Sequence, residues 1–138
     1  MGFEHVIPQF VVRLKRLAAQ HPTGRLPFEI QGDGSQTRSF TFVSDLVAGI
    51  IALLESHVVE PVNIGNPHEV TIEEIARTII ALVNSKSQIV YRPLPTDDPK
   101  QRRPDITRAR TLLGWEPKVG LQEGLLATVD YFKKKINE

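Results

Sequence analysis

Three arginines are the side chains best suited to chemistry in this chain. Arg38 follows the glycine-rich turn Gly32–Ser35, and Arg102 and Arg103 lie in a proline-rich loop. A guanidinium presents forked N–H donors that match two phosphate oxygens, and it needs no glycine-rich cradle to do so. These residues predict a phosphate site if the fold brings the two segments together. Surface ion pairs are the competing interpretation, and spacing alone does not decide between the two.

The other residues that could do chemistry form no recognisable site in the sequence. The four histidines lack the spacing with carboxylates that a metal site needs, and the absence of cysteine excludes disulfides, thiolate metal sites and cysteine nucleophiles. Gly32-Asp33-Gly34 follows a predicted strand but leads into another strand, so it is interpreted as a tight turn rather than a dinucleotide fingerprint. Asp97 and Asp98 are interpreted as solvated loop residues or as partners of the nearby arginines.

Apolar spacing and turn residues predict the elements that must position the arginines. The first predicted helix spans His5–Ala19, and the second begins at Ser44, with Ser44 or Asp45 as its N-cap. The third begins with the capping box of Thr71 and Glu74. A short helix lies between Asp105 and Gly114, and the last begins at about Leu121. The predicted strands are Leu26–Gln31, Thr37–Phe42, Pro61–Gly65 and Ser87–Arg92. This order predicts an α/β fold with few, short strands, in which part of a larger architecture is absent.

Composition favours one folded domain and does not suggest a nucleic-acid or membrane partner. The 138 residues are 41% hydrophobic and 24% charged, with 17 Lys and Arg against 16 Asp and Glu, so there is no global field to attract nucleic acid. No apolar run is long enough to span a membrane, and no signal pattern begins the sequence. We therefore expect a cytoplasmic protein with neither nucleic acid nor membrane as its partner.

Five motifs in order resemble a known family. They are Gly32–Phe40, Val43–Val47, Val62–Asn66, Asp98–Asp105 and Leu113–Pro117. Together they resemble the C-terminal part of extended short-chain dehydrogenase/reductases that act on nucleotide sugars, and most of all the UDP-glucuronate decarboxylases. The resemblance implies a small mixed α/β substrate-binding domain over residues 1–138, without the N-terminal NAD-binding domain.

The resemblance also implies site residues. In the family, arginines at the positions of Arg38 and Arg102 contact the diphosphate of the nucleotide sugar. Arg103 is a secondary candidate, and Ile7 and Pro8 resemble a segment near the base. Gln31 is a further candidate contact, and it departs from the family's pattern, which often has an aromatic residue beside the base at this position. The expected ligand is a nucleotide sugar, most simply a UDP-sugar.

The family's catalytic signatures are missing from this sequence. NAD binding in the family uses Gly-x-x-Gly-x-x-Gly, which is absent here, so no cofactor is expected in this chain. The Tyr-x-x-x-Lys spacing occurs only at Tyr131 and Lys135, on the last predicted helix, and is interpreted as a chance match. We therefore expect a chain that binds substrate but does not catalyse alone. The alternative is a non-enzymatic folded module that acts by self-association or by pairing with a separate catalytic half.

Overall fold

The computed structural model describes residues 5–20, 26–95 and 100–136. These residues group into two compact units. The first unit lies within Met1–Gln36, Thr71–Lys100 and Leu125–Glu138, and the second lies within Thr37–Val70 and Gln101–Gly124. The predicted turn at His21–Gly24 and the Asp97-Asp98 pair fall outside the described residues.

The first unit is built on two parallel strands. Strand β1 (Pro27–Gln31) pairs in parallel with a strand at Gln88–Arg92, and Pro27 lies opposite Gln88. Parallel strands need a long connection between them, and here that connection includes part of the other unit. Both strands agree with the predicted ones to within a residue.

Helices complete this unit. Helix α1 spans Val6–Gln20, and a second helix, Ile72–Leu82, begins at the predicted capping box, in which Thr71 and Glu74 each accept the other's backbone N–H. The terminal helix Leu121–Ile136 contributes its later turns. The largest fully buried side chains of this unit are Phe28, Phe132, Leu14, Ile75, Ile79, Leu125, Val11, Val129 and Pro8.

The second unit contains two short strands and two helices. Strand β2 (Thr37–Ser39) pairs with strand β3 (Glu69–Thr71) at the edge of the unit, and helix α2 spans Val43–Leu54. Along the chain the order of the elements is α1, β1, β2, α2, β3, α3 (Ile72–Leu82), β4 (Gln88–Arg92), α4 (Thr107–Leu113) and α5 (Leu121–Ile136). This order confirms the predicted mixed α/β class.

The predicted strand at Pro61–Gly65 is wrong. These residues have no assigned strand partner among the described residues; instead Val62 and Ile64 pack against a buried cluster of Ile106, Ala109 and Trp115. An apolar run between Pro and Gly indicates burial, but burial alone does not supply a hydrogen-bonded neighbour. Strand β3 was not predicted.

The predicted cap of α2 is also wrong. The N-cap is Phe42, without a side-chain hydrogen bond, and the helix begins at Val43. The Asp45 carboxylate is buried and accepts the backbone N–H groups of Lys118 and Val119 at 3.0 and 2.9 Å. A distant pair of donors therefore binds the carboxylate that the sequence suggested as a local cap.

Two other boundaries differ from the prediction. The N-cap of α4 is Ile106 rather than Asp105, although Asp105 Oδ1 still accepts the Thr107 N–H at 2.9 Å. Strand β2 ends at Ser39 instead of Phe42. Gly114 ends α4 as predicted, in the left-handed conformation with φ 60°. None of the helices in the described ranges is long and apolar enough to cross a membrane.

Candidate functional site

Arg38, Arg102 and Arg103 line a single cavity in the second unit. Its volume is about 410 Å³. The remaining lining residues are Ser39, Thr41, Asn63, Ile64, Gly65 and Pro104. The fold therefore brings together the two basic segments that the sequence keeps far apart.

Strand β2 positions Arg38. The strand pairs with β3, and the Thr37 hydroxyl donates to Glu69 Oε1 at 2.7 Å, which fixes the backbone next to Arg38. The half-buried Arg38 side chain donates from Nη1 to the Thr37 carbonyl at 2.7 Å. A guanidinium has five N–H donors, so one arginine can bind several acceptors at once.

The exposed Arg102 and Arg103 precede α4, and the two residues that follow them, Pro104 and Asp105, contact the Asn63–Gly65 segment. Asn63 donates from Nδ2 to the Asp105 carbonyl at 3.2 Å. A Cβ atom built at Gly65 would lie 2.9 Å from Pro104 Cγ, so only glycine fits this close approach without a shift of its neighbour. The segment that carries the arginines is therefore fixed against the Asn63–Gly65 backbone.

Asp105 adds one negative charge next to the arginine loop. Its carboxylate accepts from the Thr107 hydroxyl at 2.6 Å and from the Thr107 N–H. These bonds, together with the nearby positive charge of Arg103, hold the Asp105 pKa below its ordinary value of 3.8. The cavity thus has arginines on its wall and a fixed negative charge beside its loop.

The structure does not place every predicted contact residue in this cavity. Gln31 ends β1 and is exposed, and its carbonyl accepts from Gln36 Nε2 at 2.5 Å. Ile7 is half-buried in α1, and Pro8 is buried. These three residues belong to the first unit and are not among those that line the arginine cavity.

Sequence reasoning missed the neutral polar residues of the cavity. Ser39 and Thr41 follow Arg38 closely, and Thr41 Oγ1 accepts the Asn66 N–H at 2.9 Å. Asn63 lies in the segment that was predicted as a strand. The signal available for Ser39 and Asn63 was their place inside the family-like motifs, whereas Thr41 lies just after the first motif. Isolated hydroxyls and amides have no spacing rule of their own.

The Gly32-Asp33-Gly34 turn lacks the structural context of a dinucleotide-binding fingerprint. Gly32-Asp33-Gly34 connects β1 to β2, whereas a pyrophosphate cradle of this kind needs a strand, a turn and then a helix N-terminus. Among the described residues there is also no group of three metal-ligating side chains.

Comparison with known proteins identifies relatives along most of the chain. The family model for GDP-mannose 4,6-dehydratase matches residues 4–128. UDP-glucuronic acid decarboxylase 1 of Danio rerio is 52% identical over 107 residues, which are 78% of this chain and 26% of that protein. UDP-glucuronic acid decarboxylase 4 of Arabidopsis thaliana is 48% identical over 110 residues, 80% of this chain and 25% of that protein. The chain spans about a quarter of the length of these relatives.

Solved structures share the fold. An epimerase from Methanothermobacter thermautotrophicus superposes with a TM-score of 0.86 at 32% identity, over 99% of this chain and 39% of that one. UDP-glucose 4-epimerase from Thermotoga maritima, solved with UDP-glucose, gives a TM-score of 0.85 at 31% identity, over 98% and 41%. UDP-glucuronic acid 4-epimerase from Bacillus cereus, solved with UDP-glucuronic acid and NAD, gives 0.81 at 29%, over 96% and 41%.

These matches confirm the resemblance and the extended short-chain dehydrogenase/reductase fold that it implied. The family model, the relatives and the solved structures each match most of the chain. The chain belongs to the GDP-mannose 4,6-dehydratase family, whose members are NAD-dependent nucleotide-sugar epimerases, dehydratases and decarboxylases.

Proposed function

We propose that this chain is the nucleotide-sugar-binding portion of an NAD-dependent epimerase, dehydratase or decarboxylase. Residues 1–138 act as a single C-terminal substrate-binding domain, and Arg38 and Arg102 bind the diphosphate of a UDP-sugar. The observation that carries the proposal is that these two arginines line one cavity although they come from separate segments.

The chemistry of the cavity supports a diphosphate. Two guanidiniums from different segments can each bind a pair of phosphate oxygens, and charge-assisted bonds of this kind are about twice as strong as neutral ones. Arg103 lines the same cavity and adds a third positive charge. Ser39 and Thr41 supply hydroxyl groups that can donate to further phosphate or sugar oxygens.

The relatives support the same ligand class. The two relatives described above are named as decarboxylases of UDP-glucuronic acid, and two of the similar structures were solved with UDP-glucose or UDP-glucuronic acid. A UDP-sugar is therefore the first ligand to test.

Holding the diphosphate would serve the reaction by positioning the sugar. Binding energy from the remote nucleotide fixes the orientation of the reacting ring, which lowers the entropic part of the barrier. The chain alone would bind without turnover. Tyr131, the only tyrosine with a lysine four residues later, is 54% exposed on α5 and does not line the arginine cavity.

A calorimetric titration with UDP tests the proposal, with NAD as the control ligand. We expect saturable binding of UDP and no heat from NAD. A folded chain that binds neither ligand, or that binds NAD in preference to UDP, contradicts the proposal.

A second candidate function is a non-enzymatic folded module that acts by association with other chains. An exposed apolar face of α2 favours it. On α2, Val43, Val47, Ile50 and Ile51 are each about half exposed and Leu54 is 78% exposed. Exposed apolar groups of this extent are typical of interfaces. Light scattering tests this function: concentration-dependent association that Ile51→Lys abolishes supports it, and a monomer at all concentrations contradicts it.

A further inference from the structure

A second cavity in the second unit, called here the Arg110 cavity, adjoins the arginine cavity. Its volume is about 480 Å³. Its two cationic side chains are Arg103, from the loop before α4, and Arg110, from the last turn of α4. Glu116 and the exposed His68 also line it. Of the described residues that line these two cavities, only Arg103 is common to both.

A weak ion pair holds Arg110 at this cavity. Its Nε lies 3.6 Å from Glu116 Oε2, and the two side chains are 54% and 63% exposed. An exposed pair at this distance contributes little to stability, because water screens both charges. An oxyanion that accepts two parallel N–H bonds from the guanidinium makes a shorter and stronger interaction. Such a ligand can therefore displace the Glu116 carboxylate from Arg110.

Asn66 adds a neutral donor with a fixed orientation. Its Oδ1 accepts the His68 N–H at 2.9 Å, and its own backbone N–H donates to Thr41 Oγ1 at 2.9 Å. A backbone N–H can only donate, so the amide oxygen lies at this bond and Nδ2 is the other atom of the amide. Nδ2 donates and cannot accept. Asn66 therefore suits a ligand that is rich in acceptors.

The backbone between Arg110 and Glu116 is fixed by a buried residue. Trp115 is only 7% exposed, and its N–H donates to the Ala109 carbonyl at 3.1 Å, which closes the end of α4. A ligand that binds here does not have to order this backbone, so it loses less binding energy to ordering.

Prolines give the cavity an apolar wall. Pro67 and Pro117 line it, and both are half-buried. The volume lies within the ~300–1,000 Å³ that is typical of sites for small organic ligands. Two guanidiniums outnumber the single carboxylate of the lining, so the cavity favours a ligand with a negative charge.

We propose that the Arg110 cavity binds a phosphate group, which accepts from Arg103, Arg110 and Asn66 Nδ2. Two sources share this chemistry. One is a small phosphomonoester, whose organic part packs against Pro67 and Pro117, and the other is inorganic phosphate. This site is separate from the diphosphate contacts of the proposed function and does not rest on them.

Two probes test the site on the unaltered chain. Inorganic phosphate and phenyl phosphate are titrated at constant ionic strength while backbone amide NMR signals are followed. We expect saturable shifts of the His68, Arg110 and Glu116 signals. Tighter binding of phenyl phosphate, by about threefold or more, identifies a phosphomonoester as the occupant, and equal affinity identifies inorganic phosphate. The absence of saturable shifts at these three residues with both probes overturns the proposal.

A matched pair of arginine variants on α4 tests the role of Arg110. Arg110→Gln removes the charge from the cavity, whereas Arg108→Gln removes an exposed charge from the same helix and outside the cavity. Residues two positions apart on a helix do not share a face. We expect the first variant to weaken binding of the tighter probe by about fivefold or more and the second to change it by less than about twofold. Equal affinity in the two variants contradicts the assignment.

Glu116→Gln should tighten binding, a result that a damaged fold cannot give. The variant removes the carboxylate that pairs with Arg110 and repels the phosphate. We expect the affinity for the tighter probe to rise by about twofold or more. An unchanged or weaker affinity overturns the displacement of Glu116 on which the proposal depends.

The proposed function and this inference can fail separately. Of the two cavities, Ser39 and Asn63 line only the arginine cavity, and His68 and Glu116 line only the Arg110 cavity. UDP that leaves the Ser39 and Asn63 signals unshifted contradicts the proposed function. Phosphate probes that shift the Ser39 and Asn63 signals but not those of His68 and Glu116 occupy the arginine cavity, and this result overturns the present inference.

Discussion

The indole Nε1–H of Trp115 donates to the backbone carbonyl of Asp45 at 3.1 Å, across 70 positions of sequence. The Asp45 carboxylate in turn accepts two backbone N–H groups from Lys118 and Val119. Asp45 therefore joins α2 to the segment that follows α4 through its backbone and its side chain. Each bond lies within the second unit, which also contains the arginine cavity.

Removal of this carboxylate should destabilise the chain. Asp45→Ala leaves two backbone donors without their charged acceptor, and we expect a loss of about 2 kcal/mol or more in the free energy of unfolding, measured in urea. Glu60→Ala, which truncates an exposed acid of the same unit, is the control and should change this free energy by less than about 0.5 kcal/mol. Equal stability of the two variants would show that the Asp45 bonds contribute nothing.

Loss of either arginine should weaken UDP binding. Arg38→Ala and Arg102→Ala should each cost about 1–3 kcal/mol of binding free energy in a calorimetric titration, as expected for charge-assisted bonds to phosphate. Arg102→Lys keeps the charge but loses the fork, so its affinity should fall between those of wild type and Arg102→Ala. Arg16→Ala, an exposed arginine on α1, should bind as wild type does. Unchanged affinity in both alanine variants rules out the diphosphate assignment.

Alanine substitutions at two glycines distinguish the effect of backbone strain on stability from the effect of steric crowding. A Cβ atom at Gly114 or at Gly120 would meet nothing within 4 Å, but only Gly114 has a positive φ, of 60°. Gly114→Ala should therefore lower the unfolding free energy by about 1 kcal/mol through left-handed strain alone. Gly120→Ala should change it by no more than about 0.5 kcal/mol. Thermal or urea unfolding checks both values, and an equal loss in the two variants would refute the strain argument.

Asp33 should contribute stability that depends on pH. Its pKa is lowered chiefly by the Ser35 hydroxyl and then by the Ser35 N–H, so the folded chain releases this proton more readily than the unfolded chain. The contribution is present above the ordinary pKa of 3.8 and is lost as the pH falls through the lower, folded value. Carboxyl NMR titration should place the midpoint below 3.8, and Ser35→Ala should move it upward. A wild-type midpoint at or above 3.8 contradicts this account.

The sequence predicted best where the information is local. The capping box at Thr71 specifies its helix because both partners lie within one turn, and the glycine after α4 stops that helix by its own backbone preference. Arg38 and Arg102 could be chosen from the sequence because their motifs resemble a family. Their shared cavity depends on packing between distant segments, which spacing does not encode.

The errors have one physical cause. Asp45 is of a residue type that is common at N-caps, but its carboxylate binds backbone donors more than 70 positions away. Pro61–Gly65 has the apolar residues typical of a strand, but it lacks an assigned strand neighbour among the described residues. The burial of the Gln36 side chain could not have been predicted either, because it is visible only when the surrounding atoms are placed. The local sequence suggests a structural role for a residue, but contacts with residues distant in sequence determine the role that the residue has in the fold.

The parallel register of β1 and β4 has a consequence for synthesis on the ribosome. Pro27 lies opposite Gln88, so β1 emerges well before its only strand neighbour in the described sheet. At roughly 5–20 residues per second, the interval lasts several seconds. During that time β1, with the apolar side chains of Phe28 and Ile30, has no strand partner and can pair with incorrect segments. A pause in translation before Gln88 would lengthen this period.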